Sequence, residues 1–213
     1  MKNRAHNNRI KSPAKTRGLG PRYRSAVYEE RYVSKLWKIN MNLKLSLILL
    51  PLILTSACSS PYKRSMPENY TGPSAYILDT IQMDGESKGD FFYLSEIDGQ
   101  MVKNARSETY KYTQGKGMTM YPVEYSRQVP ALQNNFKIVG RTGYAAPILT
   151  LTGTVYEVEG IIKFTPAADK TYQIKGLLSE SSSSVWIEDM ETKEIISNKI
   201  QVKGSSELGF FSK

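Results

Sequence analysis

Hydrophobic and polar residues alternate along much of the chain after residue 74, and this alternation predicts β-strands. The clearest example is the segment 154–164, TVYEVEGIIKF, in which Glu157, Glu159 and Lys163 fall on the face opposite the apolar side chains. A repeat of two residues places alternate side chains on opposite faces of a strand, so one face can be buried. Strand candidates with this alternation or a short apolar run are 75–83, 90–94, 118–125, 135–141, 148–151, 171–178, 185–188 and 196–202.

Turn signals separate these candidates and indicate hairpins. Asp-Gly dipeptides at 84–85 and 98–99 are typical of tight hairpin turns, and the serine run 181–184 suits a solvated loop. Pro122 predicts an edge position or a bulge for its strand, because proline donates no hydrogen bond to a sheet. Helical periodicity is hard to find, so we predict an all-β fold, an antiparallel β-sandwich formed by residues 75–213.

A different apolar run lies upstream, at 45–55. It is shorter than the roughly 20 apolar residues that cross a bilayer, and its length is typical of the hydrophobic core of a secretory signal peptide. The small residues Ser56 and Ala57 follow it, and then comes Cys58, the single cysteine of the chain. We therefore predict a signal peptide at 41–57 that is cleaved between Ala57 and Cys58.

The residues LTSAC, 54–58, resemble the lipobox of bacterial lipoproteins, although Thr55 stands where leucine is usual. The resemblance implies that the Cys58 thiol carries a diacylglycerol and that the new amino terminus carries an N-acyl chain. Two or more chains hold a protein stably on a membrane, whereas one chain binds marginally. Ser59, in place of aspartate, implies transfer to the outer membrane if the source is Gram-negative.

Two other interpretations of this segment stay open. A plain secretory signal cleaved after Ala57 would leave Cys58 as an incidental free thiol, and a buried apolar segment of a cytosolic protein would not be cleaved. The lipoprotein interpretation is favoured because the position of the cysteine, its small neighbours and the absence of other cysteines agree.

The charge of the chain is concentrated in its first 40 residues. The net charge is +9, and residues 1–40 hold 11 basic and 2 acidic side chains. Residues 58–213 hold 17 basic and 18 acidic side chains, so the predicted domain is close to neutral. A nucleic-acid interface needs its positive charge on the folded surface, so we predict no nucleic-acid partner. We interpret 1–40 as a basic leader upstream of a true start at Met41, or else as an extended signal head.

The residue types after the signal peptide exclude several kinds of catalysis. His6 is the single histidine, and it lies in the leader, so 58–213 offers no histidine for a Ser-His-Asp or Cys-His site. Zinc sites of the usual Cys/His type lack ligands for the same reason. We predict no catalytic residues, no metal site and no cofactor beyond the covalent lipid on Cys58.

Carboxylates remain available for chemistry. The densest acidic cluster is Glu188, Asp189 and Glu191, next to the hairpin predicted at 190–193. We interpret it as a solvated hairpin tip, since charge near a turn is common. The alternative is a carboxylate-dependent glycan hydrolase or a calcium-dependent carbohydrate binder.

Tyrosines and arginines are frequent between 106 and 144. Exposed aromatic rings beside arginine suit contacts with proteins or glycans. Tyr125, Arg127, Arg141 and Tyr144 are therefore the candidates for a partner surface. The favoured interpretation is that these side chains are half-buried strand residues.

The run 158–196, which contains KTYQIKG and VWIED, resembles the C-terminal part of small uncharacterised Gram-negative lipoproteins. That resemblance implies a small β-sandwich in which Tyr172, Gly176 and Trp186 serve packing and strand bending. It implies no catalytic residues.

These observations together predict a lipid-anchored protein of the bacterial envelope. Residues 58–74, rich in proline and serine, would form a short flexible tether from the outer membrane to the sandwich. The domain would face the periplasm and act as a non-enzymatic binding or structural module. Its partners would be the membrane, through the anchor, and another envelope protein or a glycan.

Overall fold

A computed structural model of the chain describes residues 61–213. The basic leader, the predicted signal peptide and the predicted lipid attachment at Cys58 lie outside the described residues. The strands are β1 (Ser74–Leu78), β2 (Thr80–Asp84), β3 (Lys88–Ile97), β4 (Gln100–Met101), β5 (Ser126–Pro130), β6 (Asn134–Tyr144), β7 (Glu157–Phe164), β8 (Thr171–Leu177), β9 (Ser182–Asp189) and β10 (Ile200–Lys203). The helices are α1 (Ala105–Thr113), α2 (Pro147–Thr152) and a 3-10 helix (Phe210–Ser212).

The strands form two sheets, and the predicted all-β, sandwich-like fold is confirmed. The first sheet has the order β10-β9-β8-β1-β5, and the second has the order β2-β3-β6-β7 with β4 paired to β3. The strand pairs are antiparallel except β1 with β8, which is parallel and places Ile77 opposite Tyr172. The predicted turns at 84–85 and 98–99 connect β2 to β3 and β3 to β4, with the glycines at positive φ.

The main core lies between the two sheets and draws on strands of both. The alternation in the sequence correctly predicted its members from β7, β8 and β9, because the inward positions of these strands are buried. The buried side chains of these strands and of Leu178, which follows β8, are Val158, Ile162, Tyr172, Ile174, Leu178, Val185 and Ile187.

Phe92 of β3 fills a space that two glycines leave open in this core. Its side chain is fully buried. Gly140 lies opposite Phe92 in β6, and a Cβ atom at Gly140 would be 3.0 Å from the phenylalanine ring. A Cβ atom at Gly176, in the first sheet, would come closer still. The two sheets can therefore close around this ring only where neither position carries a side chain.

Helix α1 covers the outer face of the second sheet. Phe91, Tyr93, Met120 and Val139 form a second buried cluster there, and Tyr110 of α1 packs against it. The helix begins with a capping box, in which the Asn104 side chain accepts from the Ser107 backbone and the Ser107 hydroxyl accepts from the Asn104 backbone.

Several sequence-based predictions of elements are wrong, and each has a local cause. Residues 118–125 form no strand, because the hydroxyls of Thr113 and Thr109 accept the N–H groups of Tyr121 and Val123. Residues 148–151 lie in α2, which starts at Pro147, a residue whose fixed φ suits the first position of a helix.

Two further differences concern strand limits. The predicted strand 75–83 is two strands, β1 and β2, which are separated at Asp79. The carboxylate of Asp79 is buried and forms its hydrogen bonds with residues outside these two strands. Ser183 and Ser184, predicted to lie in a loop, are buried in β9. No helix within residues 61–213 has the length and apolar character needed to cross a bilayer.

Candidate binding site

A cleft of about 620 Å³ lies on the outer face of the second sheet, and we refer to it as the α1–α2 cleft. Helix α1 forms one wall, β6 forms the floor and α2 forms the other wall. Its most polar lining side chains are Arg106, Tyr110, Lys111, Arg141, Tyr144 and Lys213.

Helix α1 presents its cleft-lining side chains because another face of the helix is buried, in part against the segment that contains Tyr121 and Val123. Ala105, Thr109 and Thr113 are the buried positions. Arg106 and Tyr110 lie one turn apart, and the guanidinium carbon of Arg106 is 4.8 Å from the centre of the Tyr110 ring. The aromatic ring and the cation thus form one continuous surface of the cleft.

The floor of the cleft depends on a glycine. A Cβ atom at Gly143 of β6 would collide with the Tyr110 hydroxyl and the Phe91 ring. Phe91 and Tyr110 themselves pack with ring centres 6.1 Å apart. The absence of a side chain at this position therefore allows α1 to approach the sheet.

Arg141 is fixed in the floor by a neighbour on the adjacent strand. Its Nη1 donates to the Glu157 carboxylate at 2.5 Å, and its Nη2 donates to the Ser212 carbonyl at 3.4 Å. Its Nε is buried and has no hydrogen-bond partner among residues 61–213, and the same is true of the Nε of Arg106. Tyr144 donates its hydroxyl to the Thr154 carbonyl at 2.9 Å, and burial raises the pKa of this phenol.

The lining of the α1–α2 cleft carries positive charge. Four cations line it, and no Asp or Glu of the described segment does so. Glu157 pairs with Arg141, and Glu207 lies 3.5 Å from Lys213, whose Nζ also donates to the Gly153 carbonyl. Within residues 61–213 no carboxylate pairs with Arg106 or Lys111, so the cleft has the electrostatics of an anion-binding site.

The structure divides the four residues of the candidate partner surface between two clefts. Arg141 and Tyr144 line the α1–α2 cleft. Tyr125 and Arg127 line a different cleft, of about 330 Å³, beside β5, which we refer to as the β5 cleft. Arg127 is not a surface residue, since only 5% of it is exposed.

Arg127 belongs to a buried ion pair that the sequence did not reveal. Its Nη2 donates to the Asp79 carboxylate at 2.5 Å, and the two side chains are 3% and 0% exposed. The same carboxylate accepts the backbone N–H groups of Leu94 at 3.1 Å and Ala105 at 2.7 Å. Burial raises the pKa of Asp79, and Arg127 and the two N–H donors oppose that rise. This carboxylate joins β1, β3, β5 and the start of α1.

The acidic cluster at 188–191 lies at a turn, and its carboxylates have hydrogen-bond partners in the turn or on neighbouring residues. Asp189 accepts the backbone N–H groups of Thr192 at 3.0 Å and Glu191 at 2.8 Å, and these bonds lower its pKa. Glu188 accepts from the Gln173 side chain at 2.8 Å. Across the described residues, no group of three or more Asp, Glu, His or Cys could hold a metal ion.

Sequence reasoning identified part of the α1–α2 cleft. It named Arg141 and Tyr144, and the frequency of Tyr and Arg between 106 and 144 also covers Arg106 and Tyr110. Lys213 carried no signal, because its contact with Gly153 joins positions 60 residues apart. No family model matches the chain, and neither the curated proteins nor the solved structures contain a significant match to it.

Proposed function

We propose that this protein is a lipid-anchored component of the bacterial envelope, on the periplasmic side of the outer membrane, and that it binds an anionic ligand in the α1–α2 cleft. The observation that supports binding is the lining of this cleft, which holds four cations and two tyrosines but no Asp or Glu of the described residues. Within the same residues no carboxylate pairs with two of these cations, Arg106 and Lys111. The ligand class is an anionic group attached to a planar or sugar-like body that packs against a tyrosine ring.

A binding role fits this lining better than glycan hydrolysis does. Hydrolysis of a glycosidic bond requires two carboxyl groups that face each other across the substrate. Asp79 and Glu124 line another cleft, but Asp79 is already held by Arg127 and two backbone donors.

Removal of two unpaired cations is expected to weaken anion binding in the α1–α2 cleft. We expect 1,3-benzenedisulfonate, a small aromatic dianion, to bind the purified protein, and Arg106→Gln/Lys111→Gln to raise its Kd at least tenfold. A hydrogen bond to a charged group contributes about 1.5–3 kcal/mol, and about 1.4 kcal/mol corresponds to a factor of ten. Isothermal titration calorimetry at low salt provides the measurement.

A charge-matched control separates the cleft from general electrostatics. Lys163→Gln/Lys203→Gln removes the same charge from exposed positions on β7 and β10. This control should leave the Kd within a factor of two. Equal weakening by both double variants, or no saturable binding to the unmodified protein, would contradict the proposed site.

The anchor has its own test. Metabolic labelling with a palmitate analogue should label the protein, and Cys58→Ala should abolish the label and release the protein from the membrane fraction. Ser60→Ala, two residues away, should keep both the label and the membrane fraction. A membrane-free, unlabelled wild-type protein would favour the plain secretory signal instead.

A further inference from the structure

The β5 cleft carries a positive charge that the function proposed for the α1–α2 cleft does not use. Lys63, Arg64, Lys103 and Arg127 line it, and no Asp or Glu from the described part of the chain does so. Its volume of about 330 Å³ is large enough for a phosphate group with part of its ester substituent. The cleft therefore combines a concave shape with four cations.

Three of these cations are available to an external anion. Arg127 is balanced by Asp79, and both are buried. Lys63, Arg64 and Lys103 are exposed. Arg64 lies 3.6 Å from Glu68, but about four fifths of each side chain is exposed, so solvent screens the pair. Among the described residues, no carboxylate lies within 4.0 Å of Lys63 or Lys103.

The position of the cleft along the chain relates it to the proposed anchor. Lys63 lies in the segment predicted to be a flexible tether, yet it is bonded to the domain: its backbone N–H donates to the Met101 carbonyl at 2.7 Å, and it forms a parallel bridge with Val102. Lys63 is five residues after Cys58. Five extended residues span at most about 17 Å, so a lipid on Cys58 would hold this cleft within that distance of the bilayer surface.

We propose that the β5 cleft faces the membrane and binds phosphate groups of anionic phospholipids. This inference rests on the proposed lipid anchor at Cys58. Attraction between basic side chains and an anionic bilayer falls off over a Debye length of about 8 Å at physiological salt, so cations need to be held near the surface. The short link from Cys58 to the bonded segment at Lys63 allows that placement, and the attraction of the basic cleft to the bilayer then orients the domain on the membrane.

Lysine footprinting on vesicles tests the orientation in the full protein, as isolated from cells. The protein is reconstituted on vesicles of phosphatidylcholine, with or without phosphatidylglycerol, and exposed to a water-soluble acetylating reagent. We expect Lys63 and Lys103 to be modified at least threefold more slowly on phosphatidylglycerol vesicles, and 0.5 M NaCl to remove the protection. Lys163 and Lys203 are exposed outside the cleft and serve as internal controls that should react equally on both. Mass spectrometry reads each site separately.

Substitution of neighbouring cations provides the matched comparison. Arg64→Gln/Lys103→Gln should abolish the protection of Lys63, whereas Lys163→Gln/Lys203→Gln should preserve it. Equal reactivity of Lys63 on the two kinds of vesicle would overturn the proposal. Equal protection by 10 mM inorganic phosphate on phosphatidylcholine vesicles would also overturn it, because the site would then recognise free phosphate and not a membrane.

The outcomes test the membrane-facing β5 cleft separately from the proposed lipid anchor at Cys58. Palmitate labelling of Cys58 together with unprotected Lys63 and Lys103 would refute the membrane-facing cleft and leave the lipoprotein proposal intact. Protection of both lysines in a protein without a palmitate label would refute the anchor and support phospholipid binding by the cleft.

Discussion

Replacement of Asp79 by asparagine is expected to lower the free energy of unfolding by about 3–5 kcal/mol, because it leaves the Arg127 guanidinium as an uncompensated buried charge. Two nitrogens of that guanidinium, Nε and Nη1, already lack hydrogen-bond partners within the described part of the chain. Asparagine keeps the size of the side chain and removes the charge, so the loss reports the ion pair more than packing. Urea denaturation followed by circular dichroism provides the measurement.

An exposed carboxylate gives a matched control for this substitution. Asp84 pairs with Lys88 at 2.8 Å, but its side chain is 72% exposed. Asp84→Asn should therefore change stability much less than Asp79→Asn does, because solvent screens the exposed pair. The double variant Asp79→Asn/Arg127→Met, which removes both charges and keeps an amide oxygen that can accept a backbone N–H, should be more stable than Asp79→Asn. A smaller loss for Asp79→Asn than for Asp84→Asn would contradict the importance of the buried pair.

Replacement of Phe92 by alanine is expected to cost about 3–5 kcal/mol of unfolding free energy, as is typical of a fully buried aromatic side chain. The ring lies between Gly140 of β6 and Gly176 of β8, so its removal leaves a cavity that no neighbouring side chain occupies. Denaturant unfolding of Phe92→Ala and of the wild type gives the difference.

A double-mutant cycle tests whether glycine is required at position 140 because of the Phe92 ring. Gly140→Ala alone should cost about 1–3 kcal/mol, since its Cβ would lie 3.0 Å from the Phe92 ring and 3.2 Å from Val158. In the Phe92→Ala background the same substitution should cost at least about 1 kcal/mol less, because the closest atoms are gone. Additive costs would show that Gly140 is required for another reason.

The sheets could be predicted from the sequence where one face of a strand is buried and the other is solvated. β7 illustrates this, with Val158 and Ile162 buried and Glu159 and Lys163 exposed. Helix α1 lacked such a signal, because its buried positions include Thr109 and Thr113 and so show no apolar stripe. Their hydroxyls bond to a distant segment, which is a tertiary effect that periodicity does not record.

Helix α2 was missed for the opposite reason. Its sequence, PILTLT, reads as a short apolar strand, yet none of its residues is buried, and Ile148 and Leu151 are about half exposed. A short apolar run does not distinguish the two structures, and only the proline at its start pointed to a helix.

The sequence indicated which residue types could form the candidate sites, but it did not indicate where in the fold these residues lie. Arg127 and Arg141 look equivalent in the sequence, each near a tyrosine. They belong to β5 and β6, which lie in different sheets, so one arginine is buried against Asp79 and the other lines the α1–α2 cleft. Sheet membership depends on long-range pairing, which local sequence does not encode.

The parallel pairing of β1 with β8 affects when the chain can fold during its synthesis. Ile77 lies beside Tyr172, so the central neighbour of β1 is synthesised nearly a hundred positions later than β1 itself. Until then the strand has one hydrogen-bonded edge, against β5. Loop closure over such a separation is slow, so a growing chain stays incompletely folded until most of it has emerged from the ribosome. A polypeptide of this topology therefore cannot complete its first sheet before β8 has been synthesised.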